Sequence, residues 1–145
     1  MGVNSRIRRG ARARSGMAMV EMVIITPLLL MMIFAIVEFG VMFGRWQTLS
    51  NAAREGARTA IVFRAPCDPA TVTDEVRARV RDYAASLGMT LPDAAITVTG
   101  ACGGTNSTSA VNVTSPYSFR VLPGFASAVN PTIDLVGTST MRNEG

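Results

Sequence analysis

Among its 145 residues the chain has no histidine and no lysine, and only two cysteines, Cys67 and Cys102. Without histidine there is no Ser-His-Asp or Cys-His relay and no imidazole to serve as general base. Two thiolates with no imidazole do not complete a tetrahedral metal shell. A phosphate-cradling loop is missing as well, because Gly100, Gly103 and Gly104 stand between strand-like segments and lead into no helix. No enzymatic activity, no cofactor, no metal and no small-molecule substrate are therefore expected.

The formal net charge of +4 is concentrated at one end, since Arg6, Arg8, Arg9, Arg12 and Arg14 all precede the first apolar run. From Met17 onward nine arginines face ten carboxylates, a net of −1. No basic face remains there to neutralise phosphates, so nucleic acid is not an expected partner.

What is present is one long apolar run, residues 17–44, whose only charges are Glu21 and Glu38. At about 1.5 Å per residue it is long enough to cross a hydrocarbon core of roughly 30 Å. Five arginines before it and a mixed sequence after it orient the N-terminus to the cytoplasm and the rest outside, as a single-pass protein of the cytoplasmic (inner) membrane in contact with membrane lipid. A cleaved secretory signal has a shorter apolar core of about 7 to 15 residues and a small-residue cut site. Phe43-Gly44-Arg45-Trp46 offers none.

Glu21 is the anomaly of the run. A carboxylate inside a span costs on the order of 3 kcal/mol even on a lenient insertion scale, so it calls for a partner or must snorkel to the inner interface. Pro27 removes the hydrogen bond to the carbonyl four residues earlier and is expected to kink or loosen the helix. Gly40 and Gly44 have the small-xxx-small spacing that permits close helix approach. Glu38 falls near the outer interface, either as a carboxylate at headgroup level or as a subunit contact.

Beyond the run the helix is expected to continue over 45–66, carrying a stripe of small residues (Ala52, Ala53, Gly56, Ala57, Ala60) to about Arg64, with Pro66 as its stop. Arg54, Glu55 and Arg58 lie off that stripe, on a solvated face. Residues 67–145 read as an extracytoplasmic α+β domain. Asp68-Pro69 has the pattern of an N-cap followed by proline at the first helical position. A second helix then carries the stripe Val72, Val76, Val80, Tyr83 and Leu87 and is capped at Gly88. From Pro92 the period changes to two: Ile96 and Val98, Val111 and Val113, then Tyr117, Phe119 and Val121, and finally Ile133 and Leu135. Turn-forming separators, including Leu122-Pro-Gly-Phe, predict an antiparallel sheet of three or four strands with one face on the helices and one in water. Cys67 and Cys102 lie outside the membrane, where one disulfide is expected to close a long loop at a gain of about 3 to 4 kcal/mol; two free thiols or an intermolecular bridge are the alternatives.

The basic leader, Gly16 and the run Met17-Ala-Met-Val-Glu21 resemble a type IV prepilin signal. The segment Gly16-Met-Ala-Met-Val-Glu-Met-Val-Ile-Ile-Thr-Pro-Leu-Leu-Leu30, with Ile36-Val-Glu-Phe-Gly40 and Asn51-Ala-Ala-Arg-Glu-Gly-Ala-Arg58, resembles the TadE-like family, minor pilins or pseudopilins of tight-adherence (Flp-type) pilus systems. The likeness is close from Gly16 to Arg58, weak in the middle, and returns in Thr138-Ser-Thr-Met-Arg-Asn-Glu144. Met22 stands where Flp pilins often have an aromatic residue, which favours the TadE-like class over the major pilin.

That resemblance implies a set of roles. Residues 1–16 would be a leader removed by a prepilin peptidase after Gly16, leaving Met17 as the new N-terminus; a loop glycine before a helix is the plain alternative. Glu21 would pair with the new amine at Met17 of a neighbouring subunit and register assembly. Pro27 matches a proline that TadE-like spans carry six residues after the glutamate. Partners would be the peptidase, other pilin subunits and the pilus assembly platform, in a filament for adhesion or secretion with a small pilin-like domain facing outward. The contrasting reading is an uncleaved signal-anchored binding or sensing domain in which Gly16 is incidental.

Overall fold

The computed structural model of the chain describes residues 5–62, 66–102, 107–120 and 132–142, with side chains from Gly16 onward. Its element order is α1 (Ser5–Ala60), α2 (Pro69–Ser86), a 3-10 turn (Asp93–Ala95), β1 (Ile96–Thr99), β2 (Thr108–Ser118) and β3 (Thr132–Arg142). This is the expected α+β arrangement: a long apolar helix, a second helix and an antiparallel sheet, of three strands among the described residues, in the order β1-β2-β3.

α1 is one helix of 56 residues that continues through Pro27. It divides by burial: every residue from Gly16 to Val37 is exposed, whereas Glu38, Leu49, Ala52, Ala53, Gly56, Ala57 and Ala60 are buried against the rest of the chain. The helix ends at Ala60, short of the expected Arg64. Ile61 still donates to the Ala57 carbonyl, Val62 is exposed, and Pro66 lies in a bend beyond.

The small residues on α1 determine how closely the other elements approach. At Gly56 three elements meet: a methyl group there would lie 2.6 Å from Val80 Cγ2, 3.3 Å from Val76 Cγ1 and 3.4 Å from Val111 Cγ1. α2 therefore packs its valines directly over the Gly56 backbone. β3 does the converse at Gly137, where an added Cβ would collide with the Leu49 carbonyl group and stand 2.6 Å from Ser50 N. Helix and strand cross there, backbone on backbone.

α2 begins where expected. Asp68 caps it, accepting from the backbone N–H groups of Ala70 and Thr71 and from the Thr71 hydroxyl, with Pro69 at the first helical position. Those bonds favour the ionised carboxylate and hold its pKa below the ordinary value. At the other end Gly88 adopts φ +75° and donates to Ala85 O, while Met89 donates to Ala84 O, a Schellman termination. The buried stripe is Val72, Val76, Val80 and Ala84; Tyr83 is half-buried and Leu87 exposed. The smaller Ala84 completes the row because it falls one full turn after Val80.

The sheet follows the two-residue period. Ile96 is opposite Val113 and Val98 opposite Val111, and all eleven residues of β2 pair with β3, from Thr108 opposite Arg142 to Ser118 opposite Thr132. One long β2 thus absorbs both Val111-Val113 and Tyr117. Phe119 lies just past its end, and Val121 and Leu122-Pro-Gly-Phe fall outside the described residues. Ser109, Val111, Val113, Tyr117, Leu135, Gly137 and Ser139 face the helices and alternate with more exposed neighbours. Pro116 is accommodated because β1 pairs only with residues 110–113, so among the described residues this part of β2 has a strand on one side alone.

Candidate functional site

The residues singled out in the sequence fall into three places on the fold: a bare apolar helix, the junction where it enters the domain, and the disulfide.

On the bare helix, Gly16, Met17, Glu21 and Pro27 are all exposed. Gly16 lies within α1, and nothing approaches within 4 Å of the position a side chain would take. Met17 and Glu21 are one helical turn apart and so share a face. Among the described residues Glu21 has no hydrogen-bond or ion-pair partner. The segment meets the length and hydropathy requirements of a membrane span, with none of its most apolar window buried against the domain. Lipid or another chain must cover it.

The junction is built around Glu38. Glu38 is only 4% exposed, and its carboxylate accepts a 2.6 Å hydrogen bond from the Tyr117 hydroxyl and a 3.0 Å bond from the Arg120 backbone N–H. Arg45, two turns along, holds its guanidinium 5.3 Å from the centre of the Tyr117 ring, and Phe119 packs edge-on to the same ring at 5.4 Å. Burial, then the hydrogen bond to Glu38 and its negative charge, push the Tyr117 phenol pKa up. Glu38 therefore has partners within its own subunit, a role neither sequence alternative named. It ties the helix to the end of β2 where the bare segment stops.

Tyr117 and Arg120 are the residues that sequence reasoning passed over. Tyr117 was legible as a strand residue, but its partner is 79 positions away and no local pattern joins them. The one available signal was Glu38 itself, a carboxylate in apolar surroundings that needed a donor.

Gly40 and Gly44 both have open space where a side chain would be. Gly44 and Arg45 form one wall of a groove of about 740 Å³ whose other walls are Leu87–Thr90 and the Ser115-Pro116 stretch of β2. On the opposite flank of α1, Phe39, Phe43 and Trp46 form an exposed aromatic ladder. The solvated face of α1 is partly engaged: Arg54 and Arg58 are exposed, while Glu55 is half-buried and accepts a 2.7 Å ion pair from Arg79 of α2.

Cys67 and Cys102 form a disulfide, with Cα atoms 5.8 Å apart and 35 positions between them in the chain. It joins the lead-in to α2 to the turn after β1. Beside it the Ser109 hydroxyl donates a 2.8 Å hydrogen bond to the Gly100 carbonyl.

Among the described residues one helix is long and apolar enough to anchor the chain in a membrane, and it runs into the core of a small α+β domain. A family model described as TadE-like protein matches residues 16–58, and over that segment the chain is similar to that family. The match covers Gly16, Met17, Glu21, Pro27, Glu38, Gly40, Gly44 and the start of the small-residue stripe. Comparison with curated proteins and with solved structures gave no match.

Proposed function

We propose that the chain is a minor pilin or pseudopilin of a tight-adherence pilus, made as a precursor, trimmed after Gly16 by a prepilin peptidase and acting without catalysis. The observation that carries this reading is the TadE-like match over residues 16–58, which begins at the proposed cleavage residue. The bare, exposed helix carrying Glu21 supports it, because a surface so apolar with one carboxylate suits a filament core in which neighbouring subunits cover one another. The N-terminus lies in the cytoplasm and the domain outside. The amine released at Met17 pairs with Glu21 of a neighbouring subunit. Leaving either charge alone in lipid costs several kcal/mol, on the order of that for a broken buried pair, so pairing drives ordered assembly. Partners in this reading are the peptidase, other pilin subunits and the assembly platform.

The test is the intact mass and N-terminal sequence of membrane-purified protein, expressed with and without its own prepilin peptidase. A peptidase-dependent start at Met17 is expected. A start at Met1 or Gly2 in both samples rejects processing and leaves a signal-anchored binding or sensing domain. Glu21→Gln addresses the second half of the proposal. It is expected to leave membrane insertion intact and to reduce incorporation into filaments.

A further inference from the structure

The bare part of α1 and the place where the domain begins are matched to a bilayer. The stretch Gly16–Val37, exposed throughout, is roughly 33 Å long at 1.5 Å per residue, close to the thickness of a hydrocarbon core. Glu38 is the next residue and is buried by the domain. A helix of this kind leaves no spacer, so the domain starts where the lipid tails end.

Three aromatic side chains climb from that level on one face of α1, their Cα atoms about 3, 9 and 13.5 Å past Val37 at 1.5 Å per residue, and helix side chains lean back toward the N-terminus, which lowers each ring toward the tails. Phe39, Phe43 and Trp46 recur at four- and three-residue spacing and remain 61%, 44% and 43% exposed. Phe39 and Phe43 stack with centroids 6.3 Å apart, and Phe43 and Trp46 lie 5.7 Å apart. The Trp46 indole N–H is already satisfied, donating at 3.2 Å to the Val136 carbonyl of β3, while much of the ring remains outside. Exposed Val136 lies beside it. Tryptophan, with an apolar body and a polar tip, concentrates at the boundary between tails and headgroups, and the two phenylalanines extend its apolar surface toward the tails.

We propose that Phe39, Phe43 and Trp46 seat the domain in the headgroup layer of the adjoining leaflet, so that it rests on the membrane instead of standing clear of it. The occupant of this face is lipid. Its continuity with the lipid-covered span argues for that, as does the lack of any charged residue on α1 between Glu38 and Arg45. Glu38, held by Tyr117 and Arg120, locks the domain at this height. The proposal requires membrane anchoring alone and is independent of leader cleavage and of filament assembly.

Trp46 is the one tryptophan in the chain, so it reports its own depth. The full-length protein is reconstituted in vesicles of phosphatidylcholine and phosphatidylglycerol, some carrying bromine at defined acyl positions. Emission blue-shifted from that of tryptophan in water is expected, with bromines nearest the headgroup removing about half of it and deep bromines removing less. Phe39→Ser combined with Phe43→Ser, both at exposed sites, is expected to weaken the shallow quenching about twofold while circular dichroism stays unchanged. Free access of acrylamide to Trp46 with no quenching by bromolipid overturns the proposal. Protection from acrylamide without bromolipid quenching overturns it too, because a second copy of the chain then covers the ladder. Unchanged quenching in the double variant removes the ladder from the account.

Discussion

Tyr117 does two things at once: its ring fills the core beneath Arg45 and Phe119, and its hydroxyl satisfies a carboxylate that α1 carries into an apolar setting. Tyr117→Phe leaves the ring and removes the donor, and a hydrogen bond to a charged group is worth about 1.5–3 kcal/mol. Denaturant unfolding in detergent micelles is expected to show a loss of that size. The same contact gives a pH signature. Native Tyr117 keeps its proton at a pH where the unfolded chain has released it, so above the ordinary phenol pKa of about 10 the native state binds more protons and stability falls as pH rises. Below that pH this group contributes no dependence. Phenolate absorbance on a Tyr83→Phe background isolates Tyr117, and its midpoint is expected above that ordinary value.

At the scale of elements, contacts through glycine and the disulfide decide the packing. A side chain at Gly137 would drive β3 off the Leu49 backbone, which has no flexible end to yield. Gly137→Ala is expected to cost about 3 kcal/mol or more, the upper end for overpacking, read as a drop in thermal midpoint. Gly40→Ala is the contrast, since open space surrounds that site and the fold should keep its full stability. If Gly40 packs against a neighbouring helix in a filament, that variant lowers assembly alone. Cys67→Ser together with Cys102→Ser is expected to lose about 3 to 4 kcal/mol in the chain-entropy account, and reductant should produce the same shift in the parent and none in the variant.

At the scale of the molecule, α1 is shared between two solvents. Its first part needs lipid or a neighbouring chain, and its last part, Glu38 through Ala60, forms one side of the domain core. A chain beginning at Val37 keeps Glu38, Leu49 and the small-residue stripe and is expected to fold in water, whereas one beginning at Asn51 loses Glu38 and Leu49 and is expected to remain partly unfolded. Amide proton dispersion distinguishes them. The proposed roles of Gly16, Met17 and Glu21 belong to this scale too, because within one subunit these residues are exposed and what they do depends on what covers the helix.

Local chemistry written into the sequence determined the long apolar helix, the small-residue stripe, the capped second helix and the two-residue period of the strands. Each depends on neighbours within about a turn or on alternation along the chain, which a linear reading captures. The TadE-like resemblance over Gly16–Arg58 was legible for the same reason, being carried by one continuous segment. Only the tertiary structure joined Val113 and Tyr117 into one strand, put Ala84 in the buried row and gave Glu38 its partners. It also brought the Trp46 ring beside Val136, 90 positions away. Those outcomes rest on contacts between distant residues, and a single sequence carries no local signal of which distant groups will meet.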